Sequence, residues 1–211
     1  NNAGEVIESP EELFRRVARA VSSAETRDTA LWEERFFQLM QQGVFLPNSP
    51  TLMNAGLAEG QLSACFVLPV GDTMQSIFET LKHTALIHQS GGGTGFNFSA
   101  LRPRGDRTGT GPGSASGPVA FMKVYDEATE QVKQGGRRRG ANMGILNVTH
   151  PDIRHFIECK SDPSALQNFN ISVGVSDAFM QAVEANASWK LINPRDGRKW
   201  GEVAAQELWQ A

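Results

Sequence analysis

Apolar residues recur at helical spacing early in the chain. Phe14, Val17, Ala18 and Val21 define one face of a first helix, opened by Ser9 and Glu12 at capping-box spacing with Pro10 at the first helical position. Leu31, Trp32, Phe36 and Met40 mark a second helix over about 28–42, which stops at Gly43. From Val44 the pattern breaks. "FLPNSPTLMNAG" reads as extended and turn-rich, because Pro47 and Pro50 oppose a helix. "SACFVLPV" is a short apolar run of strand formers. Asp72 is placed to cap a helix over 73–89, whose stripe is Met74, Ile77, Phe78, Leu81 and Leu86.

The second half alternates. A glycine-rich stretch holds one strand near 95–99, a helix covers 118–134, and a strand follows near 143–148. A helix over 151–159, the loop "KSDPSALQNF", the strand "NISVGV", a helix over 177–186 and the strand "WKLIN" complete the series. "EVAAQELWQA" reads as a closing helix. Strand–helix alternation predicts an α/β domain with mostly parallel strands. The expected division is a helical segment over 1–46 and an α/β part over 47–211. About four strands would leave an open sheet edge, which favours self-association.

Composition narrows the setting. The formal net charge of −3 over 211 residues carries no field that would favour nucleic acid or a membrane surface. No apolar run approaches the roughly 20 residues needed to span a bilayer, and the first residues lack the basic and apolar regions of a signal peptide. Two cysteines, Cys65 and Cys159, make neither a disulfide framework nor a zinc spacing. The expected location is the cytoplasm.

Taken residue by residue, the candidate chemistry is open. "SGGGTGF" could bring backbone N–H groups to an anion, or could be a tight turn; it matches neither the Walker nor the dinucleotide fingerprint. "LRPRGDRTGTGPGSASGP" and "GGRRRGA" could pair guanidinium groups with phosphate, or could be solvated loops. His83, His88, His150 and His155 form no recognisable ligand set and read as structural or surface residues; no metal site is expected. Cys65 alone reads as a small core residue of a strand.

Six blocks in order resemble a known family: "PNSPTLMNAG", "LSACFVLPVGDTMQSIFETL", "GGGTGFNFSALRPRGD", "GTGPGSASGPVAFM", "RRRGANMGILNVTHPDIRHFI" and "FNISVGVSDAFM". Together they resemble the large catalytic chain of ribonucleotide reductase, most of all its adenosylcobalamin-dependent class II. The resemblance implies N-terminal helices followed by about the first half of a ten-stranded α/β barrel. Cys65 matches one thiol of the redox pair that reduces the ribose, the other lying farther along the full chain. Ser49, Ala64, Cys65 and Gly93 match positions lining the substrate sugar and diphosphate. Asp72, Thr73 and Met74, with Arg102 and Arg107, match the site for a deoxynucleoside triphosphate effector. Lys160 and Gln167 fall in the second specificity loop. The helices at 73–89 and 118–134 match those that pair across a homodimer. Cys159 matches no family cysteine and reads as structural.

The same resemblance implies a thiyl-radical mechanism, adenosylcobalamin as cofactor and a thioredoxin-like reductant as partner. The family's "NPC" radical cysteine, second redox cysteine and C-terminal phosphate loop do not occur in these 211 residues, nor does any segment assignable to cobalamin. The chain is therefore expected to be an N-terminal fragment, inactive by itself. Two other readings stand beside it. One is a non-catalytic regulatory module that binds a deoxynucleoside triphosphate. The other is a class I large subunit, which works with a separate radical-generating subunit.

Overall fold

The structure, a computed structural model, describes residues 6–58, 60–109, 113–132 and 140–211. It divides into two compact units, 1–64 and 65–211. That division lies later than the expected boundary at residue 46.

The first unit is helical. α1 (Pro10–Ser22) starts with a complete capping box: Glu12 N–H donates to Ser9 Oγ at 3.3 Å, and Ser9 N–H donates to the Glu12 carboxylate at 2.7 Å. Its apolar face buries Val17 and Ala18 with Phe37 and Met40 of α2 (Thr29–Gln41). The segment expected to be extended instead forms α3 (Ser49–Asn54). Pro50 falls in the first turn, where an N–H has no helical partner and its loss costs little. Asn48 caps that turn by accepting from Thr51 N–H at 2.9 Å. Arg16 of α1 then donates to the carbonyls of Leu52 and Ala55, binding α3 into this unit and carrying the boundary past residue 46.

The second unit is built on a four-stranded parallel sheet in the order β1-β2-β3-β4: Cys65–Leu68, Gly93–Asn97, Asn142–Asn147 and Phe169–Gly174. The expected α/β alternation is present, with α4 (Met74–Gln89), α5 (Pro118–Gln131) and α6 (Ile153–Glu158) as the connections. Phe96, Phe98, Tyr125 and Phe169 form the aromatic centre of the core, Phe96 meeting Tyr125 edge-on at 5.1 Å. α7 (Asp177–Glu184) leads to β5 (Ser188–Ile192), which pairs antiparallel with β6 (Lys199–Ala204) in a separate hairpin. The closing segment is therefore strand, then α8 (Ala205–Gln210), where one helix was expected. Cross-strand pairing of Val203 with Trp189 outweighs the helical tendency of "EVAA". No described helix is long and apolar enough to cross a membrane.

Candidate functional sites at the two ends of one strand and turn

Cys65 opens β1, the sheet's edge strand, in register with Gly93, which opens β2. Its thiol is exposed, so the reading of Cys65 as a core residue fails. Leu68 and Val70 carry the inward packing instead. The glycine run beside it has two kinds of cause. Gly91 takes φ +85°, in the left-handed region where α4 turns out. A Cβ on Gly92 would come within 2.7 Å of Ile87 Cγ2 and 2.9 Å of Phe66 Cε2. Gly93 remains partly exposed beside the cysteine. Ala64 immediately precedes Cys65 and is also partly exposed, while Ser49 is exposed in the first turn of α3, in the helical unit.

Behind this edge runs a buried polar chain. His88 Nε2 lies 3.0 Å from Thr94 Oγ1; that hydroxyl donates to Asn142 Oδ1 at 2.7 Å, and Asn142 Nδ2 donates to Thr129 Oγ1 at 2.8 Å. Burial holds the His88 imidazole below its ordinary pKa. It is a structural histidine that ties the end of α4 to β2 and β3.

At the other end of the segment the expected cap is different. Thr73, not Asp72, caps α4, accepting from Ser76 N–H at 3.1 Å. Asp72 is taken up by Arg102, whose Nε donates to Oδ2 at 2.8 Å and whose backbone N–H donates to Oδ1 at 3.0 Å. A charged bond from a guanidinium together with one from a backbone N–H outcompetes a single capping bond. Asp72, Thr73, Met74 and Arg102 line one cavity of about 330 Å³, closed by Thr108, Gly109, Gly117 and Phe121. Arg107 does not line it. Its carbonyl accepts from Arg102 Nη1 at 2.7 Å, and its side chain is exposed.

The arginine segment is not a loose loop up to residue 109. Asp106 is buried and accepts two hydrogen bonds from the Arg195 guanidinium, at 2.7 and 3.0 Å, and a third from Asn193 Nδ2 at 2.9 Å. The Arg195 bonds above all hold this carboxyl well below the usual carboxylate range. Sequence reasoning missed this cluster, whose partners lie 87 and 89 residues apart. Residues 110–112 and the "RRR" run at 137–139 lie outside the described residues.

In the loop after α6, Lys160 Nζ donates to the carbonyl oxygens of Leu166, at 2.8 Å, and of Phe169. Its ammonium braces the loop from within, whereas Gln167 is exposed. Asp126 of α5 accepts from Asn168 N–H at 2.9 Å, fixing the loop's far end. Cys159 packs against the core, and burial pushes its thiol pKa up, as suits a structural residue. Among the described residues, no group of three or more His, Cys, Asp or Glu side chains gathers as a metal site.

Comparison with known proteins covers nearly the whole chain. Residues 1–60 match the model of the ribonucleotide reductase all-alpha domain, and residues 63–210 match that of the ribonucleotide reductase barrel domain. A vitamin B12-dependent ribonucleoside-diphosphate reductase of Thermoplasma acidophilum is 58% identical over 178 residues, covering 84% of this chain and 23% of that protein. One from Mycobacterium tuberculosis is 50% identical over 213 residues, covering 99% of this chain and 31% of that protein. A ribonucleoside-diphosphate reductase subunit alpha of Chlamydia muridarum is 29% identical over 197 residues, covering 92% and 19%. The chain thus spans less than a third of the length of these relatives.

Proposed function

Because the chain belongs to the ribonucleotide reductase family, we propose that the whole protein reduces ribonucleotides to deoxyribonucleotides and that Cys65 is one of its two reducing thiols. The observation that carries this is the exposure of Cys65 at a sheet edge, in register with a partly exposed glycine. An exposed thiol beside a residue without a side chain leaves room for a sugar to approach. In the reaction the ribose C2′–O bond breaks and the oxygen leaves as water. The Cys65 thiol and a second thiol outside these residues give up two electrons and close a disulfide. A thioredoxin-like dithiol then restores the pair. Ser49, Ala64 and Gly93 are proposed to line the substrate.

The cofactor follows from the relatives. Identities of 58% and 50% to vitamin B12-dependent reductases, against 29% to a subunit alpha, favour the adenosylcobalamin-dependent class over class I. Adenosylcobalamin supplies the radical chemistry of that class. The residues described here offer no group fitted to hold it, and its site is proposed to lie elsewhere in the whole chain. The enzyme is proposed to act in the cytoplasm.

The cavity at Asp72 is proposed to take a deoxynucleoside triphosphate effector. Backbone N–H groups at the start of α4 and the guanidinium of Arg102 are proposed as the donors that phosphate requires, and Arg107, exposed outside the cavity lining, is proposed to meet the phosphates from the adjoining segment. Lys160 and Gln167 belong to the loop proposed to carry the effector's identity to the substrate, Lys160 as its brace and Gln167 as its exposed side chain. Met74, Phe78 and Leu86, exposed along α4, are proposed to face a second copy of the chain in a homodimer.

In the whole reductase, Cys65→Ser is expected to abolish multi-turnover ribonucleotide reduction while triphosphate binding, followed by calorimetry, is retained. Unimpaired turnover would sink the catalytic assignment. The non-catalytic reading predicts triphosphate binding with no reduction in the parent protein as well, so the same pair of measurements separates the two.

A further inference from the structure

An ion pair with a buried carboxylate stands within the arginine segment. Asp106 is 5% exposed, and its carboxylate is shared among Arg195 Nε, Arg195 Nη2 and Asn193 Nδ2, with Arg107 N–H as a fourth donor at 2.8 Å. Asn193 and Arg195 follow β5 in the turn toward β6. That turn is itself tied: Arg195 N–H donates to Asn193 Oδ1 at 3.0 Å, and Gly197 N–H donates to the Asn193 carbonyl at 2.9 Å. From Asp106 the connection runs the other way into the cavity wall. Ala115 N–H donates to the Asp106 carbonyl at 2.8 Å, Arg102 Nη1 donates to the Arg107 carbonyl, and Arg102 grips Asp72. Thr108, Gly109, Ser114 and Ala115 on either side of this junction line the cavity.

We propose that Asp106 and Arg195 are positioning residues for the triphosphate site: a latch that anchors residues 102–109 on the β5–β6 turn and so fixes Arg102, Thr108 and Gly109 in the cavity wall. This rests on the effector reading given above and adds to it a remote element that touches no ligand. The physical reason is preorganisation. A loop that walls a polyphosphate site and carries a guanidinium toward it loses conformational entropy on binding unless it is already held. A buried carboxylate met by a planar two-point donor holds it with orientation as well as attraction, which a lysine could not reproduce. The hairpin of β5 and β6 thereby acquires a role in ligand affinity that its distance along the sequence conceals.

The test uses the whole reductase and the four deoxynucleoside triphosphates, with affinity by calorimetry and local order by hydrogen exchange. Asp106→Asn and Arg195→Met are expected to weaken triphosphate binding about tenfold, the order typical when coupling between a positioned network and a site is lost. Arg195→Lys, which keeps the charge but loses the fork, is expected to fall between parent and Arg195→Met. Amides of Arg107, Thr108 and Ala115 should lose protection, while those of β3 and β4 keep theirs. Folded variants that bind within twofold of the parent would overturn the latch and leave the effector site standing. If Asp106→Asn does not fold, the graded arginine series decides. A parent that binds none of the four triphosphates would overturn the effector reading itself, and the latch with it.

Discussion

Cys65 and Gly93 are register partners on adjacent parallel strands, each the first residue of its strand, with the thiol exposed at the sheet's edge. Seven residues on, Asp72 is locked to Arg102 beside a separate cavity. β1 and the turn after it therefore carry an exposed thiol at one end and a cavity of about 330 Å³ at the other.

The two thiols should behave differently toward a soluble alkylating reagent. Cys65 is exposed, whereas Cys159 is half-buried against the core with its pKa raised by that burial. Thiolate is the reacting form, so at neutral pH Cys65 is expected to be modified at least about tenfold faster. Mass mapping after brief exposure checks this. Preferential modification of Cys159 would contradict the placement of both residues.

Gly117 makes a test of the cavity's frame. It precedes α5 at φ +80°, and a Cβ there would sit 2.5 Å from Asp152 Oδ2 and 2.9 Å from Arg104 N, across the hydrogen bond joining those two atoms. Gly117→Ala is expected to cost about 3 kcal/mol, from left-handed strain and the broken contact together. Gly197→Ala shares the positive φ with nothing within 4 Å, so about 1 kcal/mol is expected there. Urea unfolding of both variants compares the two costs directly.

How much of this was legible along the chain depended on the range of the interaction responsible. The capping box of α1 and the alternation that built the parallel sheet are local, and both appear as the pattern foretold. Pro50 misled because its position within a helix, not its presence, decides its effect. Cys65 resembled a core residue because its neighbours are apolar; that it starts an edge strand depends on β2 and β3 lying beyond it on one side only. Asp72 had the spacing of a cap, and its actual partner lies 30 residues away. Asp106 had no local signal at all, since what makes it structural is Arg195.

Tyr125 tests the aromatic centre. Its hydroxyl donates to the Ile77 carbonyl at 2.6 Å, joining α5 to α4, and burial pushes its pKa up to about 12. Tyr125→Phe keeps the edge-on contacts with Phe96 and Phe98 and is expected to lose about 1 kcal/mol at neutral pH. An unfolded tyrosine ionises near pH 10, so the parent's stability is complete below that value and falls as pH rises toward 12. Denaturation at pH 8 and pH 11 should show the gap between parent and variant narrowing, and a constant gap would argue against a buried neutral phenol.

Mild acid should weaken the fold through two buried imidazoles. His150 is held in one neutral form from both sides: Nε2 donates to the Leu101 carbonyl at 2.8 Å, and Nδ1 accepts from Asp152 N–H at 3.0 Å. A second proton on Nδ1 would face an N–H donor. His88 is buried behind Thr94. Burial lowers the pKa of both, with the Leu101 carbonyl and the nearby Asp152 charge opposing it at His150. The sign follows from linkage: the unfolded histidines take up protons near pH 6.5 while the folded ones resist. Stability is therefore complete above that pH and declines as pH falls below it, by at most about 1.4 kcal/mol per pH unit for each histidine. Urea midpoints measured between pH 8 and pH 5 should trace this decline, and His150→Asn should flatten it. The cost of that substitution should be largest at high pH, where the neutral imidazole makes both its bonds. An unchanged slope in His150→Asn would show that His150 is not held neutral in the fold, and that the Leu101 end of the cavity wall is fastened by something else.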